Sequence, residues 1–268
     1  MTFDLFIGID YSGAETPESR LKNLQVYAAR AGEAPQKQFS PARSNNGQRC
    51  NWSRKEIAAW LVELTQQDTR FIAGIDHGFS FPQTYFDRHG LKSWDAFLDD
   101  FVRHWPTHHD YTYVDFIRDG VRNSWPDWPG PGLRDGKPTE LRLCERWTSS
   151  AKSVFQFDVQ GSVAKSTHAG IPWLKAIREV VGARIHVWPF DGWHLPESKC
   201  VLAEVYPSIF RNRYSREGRS ADEQDAYAVC RWLSESAARN SLARYFDPPL
   251  TLSERQMALR EGWILGIG

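Results

Sequence analysis

A chain of 268 residues with 33 basic and 33 acidic side chains carries no formal net charge, which argues against a protein that coats nucleic acid by wholesale phosphate neutralisation. Its composition, 41% hydrophobic and 25% charged, is that of a globular fold with a substantial core rather than a disordered segment. Cys50, Cys144, Cys200 and Cys230 are too scattered for paired zinc ligands or a disulfide framework, and no apolar run approaches the roughly 18 residues of a membrane span, so a soluble, cytoplasmic protein without a membrane partner is expected.

Residues 4–10 read as a first strand, ending in Gly8-Ile9-Asp10 and breaking at the Gly13-Ala14-Glu15-Thr16-Pro17 turn. Leu24 to Ala28 reads as a second strand, and Lys37 to Phe39 as a third. Ser53 with Glu56 forms a capping box, and Ile57, Trp60, Leu61 and Leu64 follow at helical spacing, so a helix is predicted to end near Asp68. Residues 70–76 form the next strand and repeat the first strand's ending as Gly74-Ile75-Asp76. From 81 to 150 this rhythm breaks. Ser93 opens one amphipathic helix carrying Trp94, Phe97, Leu98 and Phe101, and the rest is rich in Trp and Pro with little periodicity. Stretches of this kind are commonly functional, and 81–150 is expected to be an insertion forming a lid or rim over the strand ends of a single 1–268 domain. The regular pattern resumes near Ser153 to Phe157. A helix through Trp173, Leu174, Ile177 and Val180 closes at Gly182, and strands follow at 184–188 and 200–205. Ser220 caps a long helix to about Arg239, and Ser253 is expected to cap the last one.

Three strands thus end in acids, Asp10, Asp76 and Glu204, and in an open α/β sheet sites form beyond the carboxyl ends of strands. Asp222 and Asp225 lie three apart in the first turn of the long helix, on one face; alone, such acids simply favour the helix dipole. A helix packed beside the first strand would bring them to the strand-end acids. Clustered carboxylates repel, and their ionised forms coexist only with a cation; hard oxygen ligands favour Mg²⁺ or Mn²⁺. Two such ions about 3.5–4 Å apart would clamp the attacking and leaving oxygens of a phosphoryl transfer. The chemistry indicated is metal-assisted phosphodiester cleavage.

The order of these elements resembles the RNase H-like α/β fold of nucleases and resolvases, a mixed sheet flanked by helices. More closely, Gly8-Ile9-Asp10, Glu204-Val205-Tyr206-Pro207, Asp222-Glu223-Gln224-Asp225-Ala226 and Glu261-Gly262-Trp263-Ile264-Leu265-Gly266 resemble a family of predicted nucleases of this fold, catalogued as domain of unknown function 429. The resemblance implies a divalent-metal-dependent nuclease with Asp10 as the bridging ligand, Asp76 or Glu204 as the second, and Asp225, with Asp222, as the helix-borne one. Nucleic acid is the implied partner.

Around these acids, Arg211, Arg213, Arg216 and Arg219 are candidates to hold substrate phosphates, or equally to be a solvated loop. Lys152 and Lys165 flank a turn at an expected helix start, where an anion would be favoured. His77 is a candidate acid or base. His108, His109 and Asp110 suggest an exposed polar turn ahead of a transition-metal site, and Ser12 a turn hydroxyl ahead of a nucleophile. Trp125 and Trp128 would stack on exposed bases or, more commonly, pack the insertion onto the core. Two alternatives stand beside the nuclease. One is an actin-like ATPase or sugar kinase, disfavoured because a second domain and glycine-rich phosphate hairpins do not fit. The other is a non-catalytic binding protein using the aromatic insertion.

Overall fold

The computed structural model describes residues 2–67, 69–120, 128–148 and 150–268. The chain opens with β1 (Leu5–Asp10), β2 (Gln25–Arg30) and β3 (Gln36–Gln38), then a small hairpin of β4 (Ser40–Arg43) and β5 (Arg49–Cys50), then α1 (Arg54–Gln66) and β6 (Phe71–Asp76). Among the described residues the helices α2 (Gln83–His89), α3 (Trp94–His104), α4 (Val114–Arg118) and α5 (Leu143–Arg146) follow. The second half contains α6 (Ala164–Val181), β7 (Ile185–Trp188), β8 (Cys200–Glu204), α7 (Ala221–Ala238), α8 (Leu242–Tyr245) and α9 (Leu252–Glu261). The result is a mixed α/β architecture built on a six-stranded sheet, ordered β3-β2-β1-β6-β8-β7. β2 runs antiparallel to β1 and β3, and the other pairings are parallel. Among the described residues no helix is long and apolar enough to cross a membrane.

Both faces of the sheet are covered, which is why its strands are apolar runs rather than alternating ones. Successive side chains still leave opposite faces. In β1, Ile7 and Ile9 join one cluster, with α1, α3 and α6, while Phe6 joins the other, with α7 and α9. In β8, Leu202 belongs to the first cluster and Val201 and Ala203 to the second.

The two Gly-Ile-Asp phrases owe their glycines to α7. A Cβ on Gly8 would lie 2.1 Å from the carbonyl oxygen of Ala226 and 2.6 Å from the amide nitrogen of Cys230. One on Gly74 would meet Val229 and Val205 at 2.7 and 2.8 Å. Missing side chains at these two positions let the helix lie directly on β1 and β6. Gly8→Ala therefore forces α7 off the sheet. We expect a stability loss of about 3 kcal/mol in chemical denaturation, at the upper end of ordinary overpacking because backbone rather than side chain must yield. Wild-type stability in this variant would show that the contact is slack.

Several elements differ from the sequence reading. The last helix is capped by Thr251, whose hydroxyl accepts from the Glu254 amide, and Ser253 sits inside it. The capping box is Thr251-x-x-Glu254, two residues earlier than expected. Ser153 to Phe157 form turns, with Val154 and Phe155 buried but unpaired in any sheet. The 81–150 stretch is not a lid throughout. Phe81, Tyr85, Phe86, Trp94, Phe97 and Phe101 are buried in the same cluster as Ile7 and Phe71, so its first half completes the core. Trp128 is buried, its indole donating to the His104 carbonyl at 3.3 Å, and Trp125 and Asp68 lie outside the described residues.

Candidate active site

α7 begins over the carboxyl ends of β1 and β6. Ser220 caps it in a reciprocal box with Glu223, and Glu223 also pairs with Lys37 of β3 at 2.6 Å. From that start the helix runs back along β1, with Ala226 and Cys230 over Gly8 and the Cys230 thiol donating to the Phe6 carbonyl at 3.3 Å. Asp10 and Asp76 are register partners on adjacent parallel strands. By the two-residue period they share the face of Gly8 and Gly74, the face that α7 covers. Asp222 and Asp225 therefore arrive where the two strand acids point.

The electrostatics record the crowding. Burial first, then repulsion from Asp76, Asp222 and Asp225, pushes the Asp10 carboxyl well above the usual carboxylate range. Burial, then Asp225 and Glu204, pushes Asp76 up to about 8, against a lowering pull from Arg211. The two strand acids also act on each other, Asp76 helping to hold Asp10 up and Asp10 pulling Asp76 down. Asp222 and Asp225 are both raised, chiefly by burial. Asp225 receives Arg211 Nη1 on Oδ2 at 3.2 Å, while its buried Oδ1 has no partner.

Glu204 adds its charge to Asp76 but is anchored differently. It pairs in register with Ile75, so it leaves the opposite sheet face from Asp10 and Asp76. There both its oxygens are taken by Arg142, at 2.5 and 2.7 Å, and the Phe79 amide adds a third bond at 2.9 Å. Arg142 Nε also reaches Glu145 at 2.8 Å. Glu261, opening the terminal motif, accepts from the Leu143 amide at 2.6 Å and from the Gln83 amide, and so ties α5 and α2 together. Leu265 of the same motif donates to the Glu204 carbonyl at 2.8 Å.

His77, next to Asp76, faces the same way as Glu204. Burial pushes its pKa down to about 4, and Nδ1 lies 2.8 Å from the Gly78 carbonyl. A Cβ on Gly170 of α6 would sit 2.4 Å from its Nε2. The ring is neutral and buried, a poor proton donor near neutral pH, although it lines the same small cavity as Asp76 and Glu204. His108 is likewise neutral, with a pKa lowered by burial to about 4, and Asp110 is bonded to Lys55 at 2.8 Å. The Ser12 hydroxyl accepts from the Ala14 amide at 3.3 Å, in the turn after Asp10. Buried Arg54 fixes that turn by donating to the Ser12, Ala14 and Glu15 carbonyls at 3.1, 2.6 and 2.9 Å. Sequence reading missed Arg54, although it is the first charged residue of a helix whose neighbours face the core.

Of the phosphate candidates, Lys165 is paired with Asp115 at 2.7 Å and is committed to α4. Lys152 bonds the Gln160 carbonyl and lines a small cavity of about 20 Å³ together with Asp76, Arg142, Glu204 and Tyr206. Arg211 and Arg216 line an open cleft of about 390 Å³ that includes Asp225, and Arg213 is exposed outside its lining.

All the donors gathered at the strand ends are carboxylate oxygens, one of them buried without a partner, which suits a hard divalent cation better than zinc. Among the described residues no three His, Cys, Asp or Glu side chains stand close enough together to hold an ion as placed. The chemistry of the donors fits; the ring of ligands closes only with side-chain movement. Comparison with protein-family models, with curated proteins and with solved structures found no match to this chain.

Proposed function

We propose that this chain is a divalent-metal-dependent nuclease on an RNase H-like core, hydrolysing phosphodiester bonds with Asp10, Asp76 and Asp225, assisted by Asp222, as ligands to Mg²⁺ or Mn²⁺. The observation that carries the reading is the meeting of two in-register strand acids with two acids from the start of α7, at one sheet end and on one face. A fold gains nothing in stability from such a meeting, since like charges in a partly buried site repel. The first-strand and fourth-strand acids of the main sheet lie side by side because β1 and β6 are neighbours, as an RNase H-like order requires. Asp76 is the second ligand in this reading, and Glu204 is the anchor for Arg142.

Bound there, Mg²⁺ or Mn²⁺ would supply Lewis-acid stabilisation of the phosphoryl oxygens and a water ionised near neutral pH. The protein's own part is positional. Asp10 and Asp76 would hold the ion in their ionised form, and Arg54 holds the turn beyond Asp10 in place. The N-terminus of α7 offsets part of the cluster's negative charge. Arg211 and Arg216 face the cleft into which a phosphodiester backbone would run.

The test is cleavage of a panel of single- and double-stranded DNA and RNA with and without Mn²⁺, comparing wild type with Asp76→Asn. Metal-dependent cleavage lost in the variant is expected. A wild-type protein that cuts nothing on the panel, or a variant that cuts as well, overturns the reading.

A further inference from the structure

Two arginine–carboxylate pairs border the candidate site, and they are built in opposite ways. Arg142 and Glu204 are joined by two short bonds with side chains only 1% and 5% exposed, a fork-to-fork clamp sealed from water. Arg211 and Asp225 touch through a single nitrogen–oxygen contact of 3.2 Å, and the arginine side chain is 44% exposed in the open cleft. The backbone beneath Arg211 is nevertheless fixed. Buried Gln224, one residue before Asp225, donates to the carbonyls of Arg211 and Tyr214 at 3.1 and 2.9 Å. The guanidinium itself stands in the open cleft with that one carboxylate contact. Arg219, by contrast, is tied to Gln224, Glu217 and the Ser215 carbonyl and lies 3.6 Å from the ring centre of Tyr227.

We infer that Arg211 is a place-holding cation: it neutralises Asp225 in the metal-free protein, yields that carboxylate to the ion, and then pairs with a phosphate of the bound nucleic acid. This rests on the metal site proposed above and adds its regulation. Both halves of the exchange follow from charge. A guanidinium and a divalent cation compete for one carboxylate, and a displaced guanidinium in an open cleft is the natural fork for a phosphodiester. A partly exposed single contact of this kind is worth little, so the ion displaces it cheaply. The exchange also couples the ligands, because metal binding frees the group that holds the substrate.

Calorimetry with Mn²⁺ alone, on wild type, Arg211→Gln and Arg216→Gln, tests the first half. Arg211→Gln should bind Mn²⁺ up to about 5-fold more tightly, the competitor being gone. Anisotropy with a labelled eight-residue oligothymidylate, with and without Ca²⁺, tests the second. Calcium should tighten oligonucleotide binding in wild type and in Arg216→Gln, and should do so at least about 5-fold less in Arg211→Gln. A wild-type protein that binds no Mn²⁺ overturns both the site and this inference. Wild-type Mn²⁺ binding that is unchanged or weakened in Arg211→Gln overturns the inference and leaves the site standing. Equal loss of calcium coupling in both arginine variants marks a general charge effect and also overturns it.

Discussion

Asp10→Asn is expected to make the protein more stable and inactive at once. The stability gain follows from the raised pKa values of Asp10 and Asp76. In the unfolded chain both titrate near ~4. Between that pH and about 8 the folded protein holds protons that the unfolded chain has released, so stability falls as pH rises through the window. Asparagine imitates the protonated acid. Asp10→Asn should therefore match wild type near pH 4 and exceed it near pH 8 by on the order of 2 kcal/mol, after discounting for solvent at the open edge, or several degrees in Tm. Mn²⁺ should reverse the order at pH 8, because an ion that binds only the ionised cluster stabilises wild type and has lost its central ligand in the variant. Cleavage should fall by at least ~10³-fold, since several kcal/mol of transition-state stabilisation depend on the ion. Thermal melts at both pH values, with and without Mn²⁺, read the first two effects, and a cleavage time course reads the third. A variant less stable than wild type at pH 8 would mean that the acids do not repel as described.

The parts of this site visible in the sequence were those with a local signature. Asp10 and Asp76 stand at the ends of apolar runs, and Asp222 and Asp225 follow a capping serine at helical spacing. Glu204 has the same local signature but is held by Arg142. Its side-chain direction depends on the register of β8 against β6, where it pairs with Ile75 and not with Asp76. Register between distant strands is not written in either strand alone. Arg142 left a faint trace, an Arg-x-x-Glu start to the short helix α5. Its partner Glu204 is 62 positions away across an aperiodic stretch, so neither could be recognised from the other. The aromatic residues of 81–104 misled for a related reason. Aromatic side chains fill a core and line a rim equally well, and only the position of α3 against α6 decides between them. Gly8 was legible as part of a phrase, but its purpose was not, because what needs the space is a helix more than 200 residues later.

Arg142→Met should cost about 3–5 kcal/mol, the largest stability loss we expect from any single substitution here that leaves the backbone unstrained. The methionine fills similar space but abandons Glu204 and Glu145, both sealed from water. Arg142→Lys should recover only part of the loss, since an ammonium cannot make two parallel bonds to one carboxylate while also reaching a second. Pairing Arg142→Met with Glu204→Gln should restore some stability, because the neutral amide no longer suffers as an uncompensated charge, and the two effects should be clearly non-additive. Urea unfolding of the two single variants and the double variant measures this directly. The same set separates the two candidates for second metal ligand. Glu204→Gln, where folded, should retain Mn²⁺ affinity within about 3-fold, because Glu204 faces away from Asp10; Asp76→Asn should lose it. If Glu204→Gln abolished Mn²⁺ binding in a fully folded protein, the assignment of Glu204 to the Arg142 clamp alone would be wrong. Clamp and metal site would then be one unit spanning the sheet. The clamp matters to the site even as drawn here. Through Glu204, Arg142 and Glu261 it fixes the end of β8 to α2, α5 and the C-terminal segment, and β8 is the strand against which β6, carrying Asp76, is held.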